Sequence, residues 1–250
     1  MMSSCKADTA TNNATATASI TPNNDNNDEQ KMKMMTQGGH PPSKNLNVAY
    51  PQFPTAKEMY AHLRQITAPG GEFVVRNFCG VITDISPTAS LVETDLFPAG
   101  ALHYYTKKNM GWEYTPEEYK TWQLAERGGE QGDYRDGMAH KIENVIDCLK
   151  QEPWSKRAVI PIPYSIDGSA TIDWKDAGQN KCCRELHFYI EDGLLKCTGI
   201  VRMQNATIFV KNIHFFATLI HHVAQELDLK VGEYTHWITN VCHDRSASGC

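Results

Sequence analysis

Long hydrophobic runs, an excess of basic charge and a glycine-rich phosphate loop are all missing from this sequence of 250 residues. No apolar run approaches the ~20 residues that a membrane-spanning helix requires, so we expect no membrane partner. The formal net charge is -5, which argues against nucleic acid as a partner because binding to phosphate backbones requires a basic surface. Gly128-Gly129 lies in a charged segment and is predicted to form a turn rather than a phosphate cradle.

Aromatic residues and arginine are absent from residues 1–45, which mix Thr, Ala, Asn and Asp in short repetitive patterns. Such a segment has little apolar surface to bury, so residues 1–45 are predicted to be a disordered extension. An organelle-targeting signal is the alternative, but transit peptides are rich in Arg and poor in acids, unlike this segment. We therefore expect a cytoplasmic protein whose folded domain spans residues 46–250.

Eight cysteines are scattered along the chain instead of being concentrated in a short segment. This is not the dense framework of a small disulfide-stapled domain, so reduced thiols are expected. His214, His221 and His222 have no cysteine or acid beside them at the spacing of metal ligands, so no metal site is predicted. These histidines are expected on the exposed side of a helix.

Hydrophobic periodicity predicts helices interleaved with strands. Apolar residues recur at helical spacing over residues 56–66, 138–150 and 212–227. Thr55 is the expected cap of the first of these helices and Asn212 of the last, and Thr115 opens a further helix. Strands are predicted over residues 72–85, 89–96, 157–163 and 233–241, and a hairpin turns at Glu191-Asp192-Gly193. Because the order shows no regular strand–helix alternation, a mixed β-sheet with helices on one face is expected.

Cys182 and Cys183 stand side by side where the first strand of this hairpin begins. Neighbouring strand residues point to opposite faces, so one sulfur should point inward and the other away. A catalytic cysteine needs nearby cations to lower its free pKa of about 8.5. The candidates are Arg202 on the paired strand and Lys156 and Arg157 on the preceding strand. The alternative, in which both cysteines are small core residues, is favoured by composition alone.

The motifs between Pro153 and His243 follow a recognisable order: Pro153-Trp-Ser-Lys-Arg157, Cys182-Cys183, His187-Phe-Tyr-Ile190, Leu195-Lys-Cys197, Arg202-Met-Gln-Asn205, Lys211-Asn212-Ile213 and Gly232-Glu-Tyr234. This order and its spacings resemble the thymidylate synthase and pyrimidine hydroxymethylase family. Towards the N-terminus, Arg76-Asn77-Phe-Cys-Gly80 is similar to the phosphate loop of that family. The resemblance implies an α/β (α+β) three-layer fold, with helices on one face of a mixed sheet and the other face packed in a homodimer.

The implied reaction is transfer of a one-carbon unit to C5 of a pyrimidine nucleotide monophosphate, as methylation or hydroxymethylation. The implied cofactor is 5,10-methylenetetrahydrofolate, and no metal is implied. Cys182 would be the nucleophile that adds to C6 of the ring. Asn212 would bond N3–H and O4, and its amide suits a uridylate.

The resemblance also implies a set of residues that bind the substrate. Arg202 would hold the phosphate and lower the pKa of Cys182, with Arg76 in the phosphate loop. Lys156 and Arg157 would reach the phosphate bound by the neighbouring subunit. Asn205 and His243 occupy two further binding positions of the family.

Several family residues are replaced in this chain. Cys183 stands where the family has His, and Asn205 where it has Asp. The Glu-Leu-Leu-Trp helix is matched only by Trp112-Glu-Tyr114, the Tyr-Gly-x-Gln-Trp-Arg segment only by Gly132-Asp-Tyr-Arg135, and no tail that closes over folate is expected. These replacements leave open a catalytically inactive nucleotide-binding or interaction protein, and also the choice between ribo and deoxyribo substrates.

Overall fold

A computed structural model describes residues 50–68, 74–127, 133–163 and 181–243 of the chain. All of these residues belong to one compact unit, residues 40–250. The disorder predicted for residues 1–45 lies outside the described residues, so it stays a prediction.

Helices and strands follow one another in an irregular order. The helices are α1 (Ala56–Ile66), α2 (Ala99–Met110), α3 (Pro116–Trp122), α4 (Met138–Gln151) and α5 (Phe209–Glu226), with short 3₁₀ turns at Ala125–Arg127 and Ala206–Ile208. The strands are β1 (Gln52–Phe53), β2 (Val74–Ile82), β3 (Val159–Pro161), β4 (Cys183–Glu191), β5 (Leu194–Val201), β6 (Gln204–Asn205) and β7 (Lys230–Cys242).

The strands described here form a single mixed sheet in the order β1-β2-β7-β5-β4-β3, with β6 paired to the end of β7. Strands β2 and β7, β5 and β4, and β4 and β3 are antiparallel, whereas β5 and β7 run parallel. This confirms the predicted α/β class with a mixed sheet. The parallel pair requires a crossover between β5 and β7, and helix α5 supplies it.

Helix α5 packs against β5 and β7, and helix α2 packs in turn on α5. The inward side chains of β5 alternate along the strand and are fully buried at Leu195, Cys197 and Val201. The residues between them point to the opposite face of the sheet. That second face is more open, and Trp237 on the neighbouring strand β7 is 42% exposed there.

Capping residues set the helix starts as the sequence predicts. The side chains of Thr55 and Thr115 each accept a hydrogen bond from a backbone N–H of the first turn, and the carboxylates of Glu58 and Glu118 accept one from the cap residue's own N–H. At the hairpin between β4 and β5, Asp192 and Gly193 have φ angles of 53° and 73°, as a two-residue type I′ turn requires.

The strand predicted over residues 89–96 is wrong. This segment is a series of turns in which Ser90 N–H donates to the Ser86 carbonyl and Val92 is buried without strand pairing. It leads into helix α2, for which the sequence patterns predict no helix. Lys108 and Asn109 are buried in α2 beside apolar residues, so the helix has no clear apolar stripe to reveal it.

Two expectations about helix α5 are also wrong. Asn212 is not its cap, because α5 begins at Phe209 and is preceded by the 3₁₀ turn that Asn205 caps. His214 is not on the surface but is buried, with its Nε2 3.3 Å from His103 Nδ1. Burial and the neighbouring His103 lower the pKa of His214 to about 4.

Candidate functional site

The two adjacent cysteines take different environments at the start of β4. Cys183 is fully buried in the core, whereas Cys182 is only partly buried, and both are reduced thiols. Burial and the neighbouring Cys182 raise the pKa of the Cys183 thiol far above its ordinary value, so Cys183 remains a protonated core residue. Of the two thiols, only that of Cys182 is therefore accessible to a substrate.

Tyr134 lies directly beneath the two cysteines. Its hydroxyl accepts a hydrogen bond from the backbone N–H of Cys183 at 3.3 Å, and its ring packs against Phe215 of helix α5. Burial raises the pKa of Tyr134, with contributions from both thiols, while the charge of Arg202 lowers it. Tyr134, Cys182 and Arg202 therefore occupy one corner of the fold.

Sequence patterns alone predict no function for Tyr134. The segment Gly132-Asp-Tyr-Arg135 looked like a remnant of a family motif, and that resemblance is the signal that points to it. Only the tertiary structure brings this tyrosine across 49 residues of chain to the start of β4.

Arg202 follows the end of β5 and is held next to Cys182 through the backbone, because its N–H donates to the Cys182 carbonyl at 2.9 Å. Asn240 of β7 donates from Nδ2 to the Arg202 carbonyl at 3.0 Å and accepts from Arg76 Nη1 at 2.6 Å. Both arginines are exposed. Arg76, the candidate from the segment that resembles a phosphate loop, thus lies with Arg202 at one edge of the sheet, where guanidinium groups suit a phosphate.

Asn205 and His243 lie side by side at this end of β7. The Asn205 side-chain oxygen accepts from the Thr207 N–H at 2.8 Å, and the Thr207 hydroxyl donates to the His243 carbonyl at 3.2 Å. Arg64 Nη1 in turn donates to the Thr207 hydroxyl at 2.7 Å. The Asn205 oxygen and the His243 carbonyl therefore help to hold this corner together.

Asn212 is buried in the first turn of α5, 3% exposed. Its Nδ2 donates to Gln204 Oε1 at 3.1 Å. Its Oδ1 has no hydrogen-bond partner among the described residues. Phe215, one helical turn further on, packs against Tyr134, so Asn212 belongs to the same corner as the cysteines.

Lys156 and Arg157 are not part of this corner within one chain. They precede β3, which pairs antiparallel with β4 so that Val159 lies opposite His187. From His187 back to Cys182 the strand spans about 17 Å. The two cations therefore lie near the hairpin end of β4, and the suggestion that they surround Cys182 of their own chain is wrong.

Trp112, which resembled a folate-contacting residue, lies elsewhere. It is 44% exposed beyond the end of α2 and meets His222 edge-on, with ring centroids 6.1 Å apart. His222 is ten residues from Asn212 along α5, about 15 Å at the helical rise. Trp112 therefore does not join the described residues around Cys182 and Asn212.

Metal and membrane features are absent from the part of the chain that the structure describes. No three His, Cys, Asp or Glu residues in it are arranged to hold a metal ion. None of its helices combines the length and apolar character needed to cross a membrane.

The family model for thymidylate synthase matches residues 103–243, more than half of the sequence. This chain belongs to the thymidylate synthase family. The matched region contains every candidate site residue except Arg76. Family membership accounts for the order of motifs around Cys182 and for the mixed sheet.

Individual thymidylate synthases are similar to this chain at low identity. The thymidylate synthase of Staphylococcus haemolyticus is 32% identical over 101 residues, covering 38% of this chain and 29% of the relative. That of Francisella philomiragia is 29% identical over 124 residues, covering 46% and 45%. A putative thymidylate synthase of Methanocaldococcus jannaschii is 30% identical over 104 residues, covering 41% and 46%. The chain thus matches less than half the length of each of these relatives.

Proposed function

We propose that this protein transfers a one-carbon unit to C5 of a uridylate-type pyrimidine nucleotide, as a methyl or hydroxymethyl group. Membership of the thymidylate synthase family supports C5 methylation at the level of the family. For this chain, one observation carries the proposal: Cys182 is bonded through the backbone to Arg202, which Asn240 links to Arg76. A partly buried thiol and two exposed arginines that these bonds bring to one edge of the sheet suit a phosphorylated ring that is attacked at carbon.

Cys182 would act as a thiolate that forms a bond to C6 of the pyrimidine. The electron pair of the C5–C6 double bond then moves towards C5 and O4, and C5 becomes nucleophilic. Arg202 and Arg76 would hold the phosphate by charge-assisted hydrogen bonds. Asn212 would accept from N3–H and donate to O4, which fixes the ring against the sulfur.

The family implies 5,10-methylenetetrahydrofolate as cofactor, and it would supply the one-carbon unit. Trp112, matched to the tryptophan of the family's Glu-Leu-Leu-Trp helix, lies at the far end of α5 from Asn212, so its position does not fit a folate bound beside the pyrimidine. The proposed chemistry of the described residues therefore ends at the nucleotide adduct.

A nucleotide-binding or interaction protein without chemistry is the second candidate. Two observations favour it. Cys183, where the family has His, is a buried thiol that burial keeps protonated. Asn205, where the family has Asp, uses its side-chain oxygen to cap a 3₁₀ turn.

A covalent adduct separates the two candidates. The protein is incubated with 5-fluoro-dUMP, with and without the folate, and its mass is measured; 5-fluoro-UMP in parallel separates deoxyribo from ribo substrates. For the enzyme we expect an adduct that Cys182→Ala abolishes and Cys148→Ala retains. Cys148 is the matched control because it is also a partly buried thiol but lies on α4. Reversible binding without an adduct, unchanged in Cys182→Ala, supports the binding protein instead.

A homodimer would give Lys156 and Arg157 a role. Both are exposed and distant from Cys182 of their own chain, and the open face of the sheet presents Trp237. Two copies paired through that face would let the two cations of one copy reach the phosphate bound by the other. Mixing Cys182→Ala protein with Lys156→Ala/Arg157→Ala protein should then restore adduct formation, because mixed dimers contain one complete site. No restoration in mixtures shown to exchange subunits would refute this arrangement.

A further inference from the structure

Two buried amide side chains form a short hydrogen-bonded chain between β6 and α5. Gln204 is 1% exposed, and its Nε2 donates to the backbone carbonyl of Asn205 at 2.8 Å. Gln204 Oε1 accepts from Asn212 Nδ2 at 3.1 Å. This series of hydrogen bonds ends at Asn212 Oδ1, a buried oxygen with no hydrogen-bond partner in the described part of the protein.

The Asn205 backbone carbonyl sets the direction of both hydrogen bonds in this series of amides. A backbone carbonyl can only accept, so the Gln204 atom that faces it must be the amide nitrogen. Gln204 then turns its oxygen to Asn212, and Asn212 must offer its own nitrogen in return. The Asn205 carbonyl is itself held in place because β6 pairs with β7 at Asn205 and Cys242. Asn212 is therefore held with its oxygen turned away from Gln204.

The amides of Gln204 and Asn212 lie within the proposed nucleotide site. Gln204 is two residues after Arg202, whose backbone bonds Cys182. Asn212 is one helical turn before Phe215, which packs on Tyr134 beneath the cysteines. The unpartnered Asn212 oxygen therefore lies among the residues that would surround the pyrimidine.

We infer that Gln204 is a positioning residue that locks the Asn212 amide and thereby makes the site select uracil over cytosine. The inference rests on the proposed function. Uracil presents an N3–H donor and an O4 acceptor, which match Asn212 Oδ1 and the second hydrogen of Nδ2. Cytosine presents the reverse, an N3 acceptor and an amino donor. An asparagine free to rotate by 180° would bind either base, whereas the locked one leaves cytosine with two mismatched groups.

The test measures dissociation constants for uridylates and cytidylates, ribo and deoxyribo, in the wild-type protein and in Gln204→Met. Met keeps the length of the side chain but removes its donor and its acceptor. We expect the uridylate preference to fall at least tenfold, mostly because cytidylates bind more tightly. The matched control is Gln225→Met, at the exposed C-terminal end of α5, the helix that carries Asn212; it should leave the preference unchanged.

If Gln204 has a purely structural role, Gln204→Met should lower stability without altering the preference between bases. An unchanged preference in folded Gln204→Met therefore overturns this inference and leaves the proposed function standing. Failure of the wild-type protein to bind any uridylate overturns the proposed function, and base selection with it. If Gln204→Met does not fold, side-chain amide hydrogen exchange of the wild-type protein decides. One Asn212 amide hydrogen should be protected without nucleotide and both with uridylate; fast exchange of both without nucleotide overturns the lock.

Discussion

Gly199 lies in the middle of the sheet, on β5 between Leu186 of β4 and His236 of β7. A Cβ at this position would overlap the hydroxyl of Tyr234 and come within 3.1 Å of its Cζ. Tyr234 is fully buried, and its hydroxyl is 2.6 Å from His236 Nδ1. The ring therefore has no free direction in which to move, and Gly199→Ala should be strongly destabilising.

The size of the effect follows from two terms. Overpacking a well-filled core costs about 1–3 kcal/mol. Displacing the Tyr234 hydroxyl from His236 costs about 1 kcal/mol more. We expect Gly199→Ala to lower the free energy of unfolding by about 3 kcal/mol, and Tyr234→Phe alone by about 1 kcal/mol. In the double variant the overlapping oxygen is gone, so the two effects should fall short of additivity by about 1 kcal/mol or more.

Urea unfolding followed by tryptophan fluorescence measures all four proteins of this cycle. Gly232→Ala is the control, because its Cβ would meet mainly the flexible side chain of Lys196 and should cost less. Additivity of Gly199→Ala and Tyr234→Phe to within about 0.5 kcal/mol would refute the overlap as the cause.

Three further outcomes are expected. Tyr134→Phe should lower the free energy of unfolding by about 1–3 kcal/mol in urea titrations, because the buried Cys183 N–H loses its acceptor. Burial lowers the pKa of His236 to about 3, so below pH 6.5 the unfolded chain takes up a proton that the folded chain does not. Stability should therefore fall as the pH falls, with a contribution of about 2 kcal/mol between pH 7 and pH 5. Asn240→Leu should weaken uridylate binding about tenfold, since Arg76 loses the contact that orients it.

Each outcome has its own control. If Tyr134→Phe has the same free energy of unfolding as the wild-type protein, the Cys183 N–H must have found another acceptor. His236→Gln should make the dependence of stability on pH shallower, while the part due to the lowered pKa of His214 remains. An equally steep dependence would assign the whole effect to other groups. In Asn240→Leu the loss should appear for the nucleotide and not for uridine, which lacks the phosphate; equal losses for both would contradict a phosphate-binding role.

Local features of the fold were predictable because neighbouring residues determine them. Thr55 and Thr115 cap their helices through side-chain bonds within three residues, and the hairpin turn depends on Asp192 and Gly193 alone. Helix α2 was not predictable in this way. Its polar residues are buried by tertiary contacts, so periodicity carries no signal for it.

By itself the sequence determined the family and the class of the fold, and it singled out Cys182 as the candidate nucleophile, since motif order and spacing are properties of the chain. The partnership of Arg76, Asn240 and Arg202 was decided only by the tertiary structure, as was the place of Tyr134 beneath Cys183. Sheet pairing joins residues that are far apart in sequence, and no local pattern encodes which of them will meet. The direction of the Gln204–Asn212 amide chain likewise depends on one backbone carbonyl that the sheet holds in place.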